Sequence, residues 1–270
     1  MEQVEPLLGS PTNKRPMRDH PRQRTDHNEV TPAATSGHST DSIGQNKEYA
    51  NQNYMKLNYK KTKIMVFNPC RSIDFMPEVT IDDHHLEVVD EIRLLGLIIR
   101  SDMKWESNTA NMVQKANKRL WILRRLKNLG AKEIDLVDIF IKQIRSVLEL
   151  AVPAWQGGIS QAEKQDLERI QKCACHIILG TEYQSYRSAL KTLNLETLET
   201  RRIKLTMKFG LKSEKHKKFQ KWFKPTPVKV YDTRIEQLRY CNVKAKHTRF
   251  AKSPLSYLTS LLNKYYVNKK

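Results

Sequence analysis

The sequence predicts an α+β protein, mainly α, with a small antiparallel β unit followed by a helical bundle and preceded by a disordered N-terminal arm. Three observations predict it. The first 54 residues carry no periodic apolar pattern, short runs rich in β-branched residues cluster between positions 62 and 99, and beyond Trp105 apolar residues recur at helical spacing. The chain has 270 residues, enough for one large or two small domains with a real core.

Residues 1–54 run through Pro, Thr, Ser, His, Asn and Gln, as in Pro11-Thr-Asn-Lys-Arg-Pro16. Such a segment buries too little apolar surface to offset its ordering entropy, which predicts a disordered polar arm. Residues 55–105 form the β-rich unit. Thr62-Lys-Ile-Met-Val-Phe67 reads as a strand, and Val79-Thr-Ile81 pairs through a turn at Asp82-Asp83 with Leu86-Glu-Val-Val89 in a hairpin. Ile92 to Ile99 continues as a further strand.

Residues 106–224 form the bundle. Met112, Val113, Ala116, Leu120, Leu123 and Leu126 give a first helix with Asn108 as N-cap and Gly130 just past its end. A second helix runs from about 132 to 150, with Val137, Phe140, Ile141, Ile144 and Leu148 on its apolar face, until Pro153, Trp155 and Gly157-Gly158 break it. Ser160-Gln-Ala-Glu163 is a capping box opening a helix that Gly180 closes. Shorter helices follow near 185–192, 196–213 and 214–223. Pro225 and Pro227 then start a basic, sparsely structured tail over 225–270.

The formal charge is +19, and its distribution matters more than its size. Residues 1–55 hold six Lys/Arg against seven Asp/Glu, residues 56–203 hold 24 against 19, and residues 204–270 hold 18 against 3. A polyanion is the natural partner of such an excess, because each neutralised phosphate releases condensed counterions. An acidic membrane surface comes second. The absence of an apolar leader and of any long apolar run predicts an intracellular protein of the nucleus or cytoplasm, without signal peptide or transmembrane segment. Cys70, Cys173, Cys175 and Cys241 are too few and too scattered for a disulfide framework. Cys173 and Cys175 point about 200° apart on a helix, so they read as small buried hydrophobes and not as metal ligands.

Several segments carry a resemblance. Leu57-Asn58-Tyr-Lys-Lys61-Thr62-Lys63-Ile-Met-Val-Phe67 is followed by Leu94-Leu95-Gly96-Leu-Ile-Ile99 with Trp105, and by Ile144-Arg-Ser-Val-Leu-Glu149 with Pro153 and Trp155. Leu167-Glu168-Arg169-Ile-Gln171-Lys172, Tyr183-Gln-Ser-Tyr186, Leu195-Glu-Thr-Leu198-Glu-Thr-Arg201-Arg202 and Ser253-Pro254 come after them. In this order and spacing they resemble the C-terminal palm-end and thumb region of a jockey-like non-LTR (LINE) retrotransposon reverse transcriptase, from about 55 to 263. The resemblance implies an RNA-directed DNA polymerase as parent, a primer-grip hairpin around Leu95-Gly96 and a thumb-like bundle. It implies RNA or DNA as partner, held through backbone contacts without sequence specificity.

Lys61 matches the lysine that follows the family's catalytic aspartate pair, near the incoming nucleotide's phosphates; without the rest of that site it is expected to be an exposed lysine. With Lys63 it heads the candidate nucleic-acid contacts. Lys115, Lys118, Arg119, Arg124, Arg125 and Lys127 follow on the first helix, beside its apolar stripe, and Arg201 and Arg202 come from the tail motif.

Polymerisation in that family uses Mg²⁺ held by carboxylates, two of them in a Phe/Tyr-x-Asp-Asp hairpin upstream of the Lys61 motif. Residues 1–54 contain no such motif, and no endonuclease domain is present. Asp82-Asp83 falls on the wrong side of Lys61 and reads as a turn. The expectation is therefore a truncated, non-catalytic fragment with neither cofactor nor metal site, which keeps its RNA/DNA-hybrid surface. Two other readings stand beside it: a polymerase subunit completed by another chain, and a host-recruited helical module that binds protein. Leu57–Phe67 also resembles a leader segment associated with AlkB-type dioxygenases, but those need a His-x-Asp facial triad, and His85-Leu-Glu87 is an imperfect substitute.

Overall fold

The computed structural model describes residue 45 and residues 48–56, 58–67, 78–81, 84–227, 238–242 and 248–269, with backbone alone at 248–249. The chain divides into two compact units, Met1–Leu57 and Asn58–Lys270. In the first, the arm expected to be disordered lies almost wholly outside the described residues. Its last part is helical at 48–52, where the Met55 N–H returns to the Ala50 carbonyl at 2.8 Å.

The second unit is α+β and mainly α. Its strands are short: β1 (Lys63–Ile64), β2 (Thr80–Ile81), β3 (His84–His85), β4 (Glu87–Val88), β5 (Glu91–Leu94) and β6 (Leu97–Arg100). Of the three ladders among the described residues, β2–β3 and β5–β6 are antiparallel. The third corrects the sequence reading, because β1 pairs with β4 in parallel, Lys63 opposite Glu87. The expected hairpin partner of 79–81 was 86–89. Instead Ile81 faces His84 across a two-residue connection, and a loop that short fixes the register. The pairing runs on only to Leu86, whose N–H donates to the Val79 carbonyl at 3.0 Å, and Glu87–Val88 then runs beside β1. Asp82 and Asp83, expected as the turn, lie outside the described residues.

The strand expected over 92–99 is a hairpin whose turn is Leu95-Gly96, at φ 48° and 90°. Positive φ at both central residues gives the turn whose twist matches the flanking strands. Glycine adopts it freely at the second position; Leu95 adopts it against steric preference.

Helix α1 (Glu106–Asn128) follows at once. Its buried positions, Thr109, Met112, Ala116, Leu120 and Leu123, keep helical spacing. Asn108 is not the N-cap. Trp105 holds that place, while Asn108 is wholly buried one turn in and accepts the Ile98 N–H at 3.1 Å, tying α1 to β6. At the far end Gly130 (φ 81°) sends its N–H to the Lys127 carbonyl, and Ala131 reaches Leu126, the double closure that ends a helix on a left-handed residue.

Helix α2 spans 133–148 as Glu133–Ile139, a π-helical stretch Phe140–Arg145 and a last turn Ser146–Leu148. Leu136, Phe140, Ile144 and Leu148 are fully buried on one side of it. After Ala151 in the left-handed region come α3 (Val152–Trp155), α4 (Gln161–Leu179), α5 (Tyr186–Thr192) and α6 (Leu198–Lys215). The Ser160–Glu163 capping box is present in both directions, and Glu163 also accepts from Thr109 of α1 at 3.0 Å. Cys175 lies in the core between these helices, where burial pushes its thiol up to about 12; Cys173 is half-buried.

Two expectations for the last quarter need correction. No separate helix spans 214–223: α6 runs on to Lys215, and after it the 3-10 turn Gln220–Trp222 forms. Lysines at 217 and 221 would repel one turn apart, and Phe219 instead packs between the rings of His216 and Trp222. Second, the tail expected to be sparsely structured contains α7 (Thr248–Ala251) and the 14-residue α8 (Pro254–Val267). Proline is well suited to a first helical turn, since its missing N–H would have no intrahelical partner there. Leu258 and Leu262 of α8 join Phe223 and Tyr240 in a small second core against α6. Among the described residues no helix is long and apolar enough to cross a membrane.

Gly157 does more than break a helix. A methyl group there would lie 2.6 Å from Cβ of Tyr257 and 2.9 Å from the Lys252 carbonyl oxygen. Gly157→Ala is expected to destabilise the protein by about 1–3 kcal/mol through overpacking. A fall in the urea midpoint at unchanged slope would report it, and an unchanged midpoint would show that the α7–α8 region yields easily.

Candidate nucleic-acid interface

Helix α1 divides into two faces. The apolar stripe packs against α2 and α4 in the main core. The opposite face exposes Asn117, Lys118, Trp121, Arg124, Arg125 and Asn128, one or two residues from each turn. No carboxylate among the described residues pairs with Lys115, Lys118, Arg124 or Arg125. Uncompensated cations on a helix fixed by its buried face make a rigid positive platform.

The structure separates the other candidates from these. Arg119 donates to the Gln143 carbonyl inside the π-helical stretch of α2. Lys127 donates to the Ile178 carbonyl at 2.7 Å, where an ammonium complements the negative end of α4. Both pin α1 to its neighbours. Lys61 is exposed on a 3-10 turn, Tyr59–Lys61, capped by Asn58. Lys63 pairs with Glu87 across the β1–β4 ladder. Arg201 is bidentate on Glu149, at 2.5 and 3.1 Å. Glu149 also faces Arg145 at 3.7 Å, so one carboxylate holds two guanidinium groups. The bond to Glu149 raises the pKa of Arg201, while desolvation and then the charge of Arg201 lower that of Arg145.

Arg202 must be corrected outright. It is 0% exposed and cannot reach a phosphate. Its Nε donates to Gln156 at 2.8 Å, and Nη1 and Nη2 have no hydrogen-bond partner among the described residues. Burial lowers its pKa, opposed by the charges of Glu168, Glu199 and Glu149. Adjacent arginines on a helix face different ways. Arg202 continues the buried stripe of Leu198, Thr206, Gly210 and Ser213, and Arg201 does not.

Trp121 is the residue that the sequence reading missed. It is 64% exposed, with Lys118 one turn before it and Arg124 and Arg125 one turn after. The signal was present, since the periodicity that sends Leu120 and Leu123 inward sends position 121 outward.

A second basic surface lies on α6. Ile203, Met207 and Leu211 floor a shallow groove of about 460 Å³, bordered by Lys204, Lys208, Lys212 and Lys215. Of these lysines only Lys204 is paired among the described residues, with Glu196. No group of three or more His, Cys, Asp or Glu among the described residues could hold a metal ion.

No family model matches the chain, and no curated protein or solved structure is significantly similar to it.

Proposed function

We propose that this chain binds an RNA–DNA hybrid through phosphate contacts, as the palm-end and thumb part of a non-LTR retrotransposon reverse transcriptase, and does not itself polymerise. The observation that carries the proposal is the solvent face of α1, where Lys118, Arg124 and Arg125 pair with no carboxylate among the described residues, on a helix held by its buried side. The order of the motifs quoted above supports the family. The hairpin at Leu95-Gly96 stands where the resemblance puts the primer grip, and runs directly into α1.

The Mg²⁺ chemistry of that family finds no fitting carboxylate set among the described residues, so no catalytic step is assigned. The proposal is tested by measuring hybrid affinity between 50 and 200 mM salt. With three phosphate contacts the logarithmic slope is expected near −2 to −3. A flat response, or no binding at 50 mM, overturns it.

One observation favours a second reading, a protein-interaction module. The α6 groove offers an apolar floor with a cationic border, which suits an acidic amphipathic helix. Capture of a partner that survives nuclease treatment and is lost on Met207→Glu would favour it.

A further inference from the structure

We propose that Trp121 is a base-stacking residue, which makes the α1 face a site for unpaired nucleotides and not only for duplex backbone. The inference rests on the nucleic-acid reading above and deepens it. Trp121 is 64% exposed, whereas Trp105 and Trp155 are buried at 7% and 0%. A large indole held in water forgoes much of the stabilisation that burial would give, and α1 supplies it with no intramolecular ring partner among the described residues. Its helical neighbours at one turn's distance are Asn117, Lys118, Arg124 and Arg125, so those four positions present amide and cationic groups and none is a carboxylate.

This arrangement selects its ligand by chemistry. An apolar protein surface would leave three cations beside the ring unpaired. An acidic peptide would satisfy the charges but need not offer a flat ring. A nucleotide offers both: a π-face for the indole and a phosphate on either side for the flanking cations. Bases inside a duplex already stack on each other, so the free π-face belongs to a single strand or to an overhang beside a duplex.

The test compares a fluorescein-labelled thymidine 20-mer with an abasic strand of equal length, which keeps the phosphates and removes the bases. The full chain is expected to bind the thymidine strand at least fivefold more tightly, on the scale of base–aromatic stacking. Trp121→Ala is expected to abolish this preference while leaving abasic binding and the salt slope unchanged; Trp121→Phe should retain most of it. Thermal unfolding of Trp121→Ala matching that of the wild type shows that the loss is local.

Equal binding of both strands by the wild type, with a normal salt slope, overturns the stacking role and leaves the nucleic-acid reading intact. An equal loss on both strands in Trp121→Ala also overturns it, because the ring then acts through something other than a base. Absence of binding to either strand while the RNA–DNA hybrid still binds also overturns the stacking role; absence of binding to the hybrid as well removes the underlying reading itself.

Discussion

Lys118→Gln, Arg124→Gln and Arg125→Gln combined are expected to lower hybrid affinity about a hundredfold at 0.15 M salt. The slope of log K against log salt should fall in magnitude by two to three units. The magnitude follows from counterion release, in which each phosphate contact contributes roughly 0.9 to the slope on a duplex. These three groups are singled out because their charges are free. All three are exposed, and no carboxylate among the described residues offsets them. Lys142→Gln makes the matched control. Its ammonium lies 2.5 Å from Asp138 on an exposed part of α2, and its loss should leave the slope unchanged. If the control weakens binding as much per charge as the triple variant does, bulk charge and not the α1 face governs affinity.

Glu149→Ala is expected to destabilise the protein by about 3 kcal/mol, more than any change on the α1 face. Glu149 is the counter-charge of both Arg145 and Arg201, and the side chains of the three are 14%, 10% and 27% exposed. Removing it leaves two cations in a poorly hydrated pocket, and most of the cost is that residue of unpaired charge. The double variant Glu149→Leu/Arg201→Leu should recover a substantial part, since only Arg145 then remains unpaired. Urea unfolding of the wild type and the two variants measures this. A double variant no more stable than Glu149→Ala would show that packing, not charge, dominates at this site.

Much of the helical half was legible because its stops are local. Gly130, Gly180 and the Ser160–Glu163 box end or open helices through contacts within a few residues, and the sequence carries those spacings directly. What was not legible depended on the chain meeting itself. The parallel pairing of β1 with β4 joins residues 24 apart, and nothing in Lys63 announces Glu87 as its neighbour. The turn at Leu95-Gly96 was legible through the resemblance to a hairpin and not through the strand pattern, in which a leucine at positive φ does not look like a turn residue. Helix α8 had its Ser253-Pro254 start signal, but its apolar contacts belong to α6 rather than to its own short pattern.

The site follows the same division. The sequence shows where cations are, and the fold decides which are free. Arg201 is bound by a carboxylate 52 residues away and Arg202 is sealed in the core, so the tail motif marks a structural joint between α2, α3 and α6. On α1 the helical period alone separates the buried stripe from Lys118, Trp121, Arg124 and Arg125. That part was readable throughout.

Crosslinking the full chain to an RNA–DNA hybrid and mapping the modified peptides by mass spectrometry shows whether the α1 face meets the nucleic acid. The peptides covering 115–125 are expected to carry the crosslinks and to lose them when salt is raised. Crosslinks confined to the lysines of α6 and the segment after it, with 115–125 unmodified, would contradict that placement.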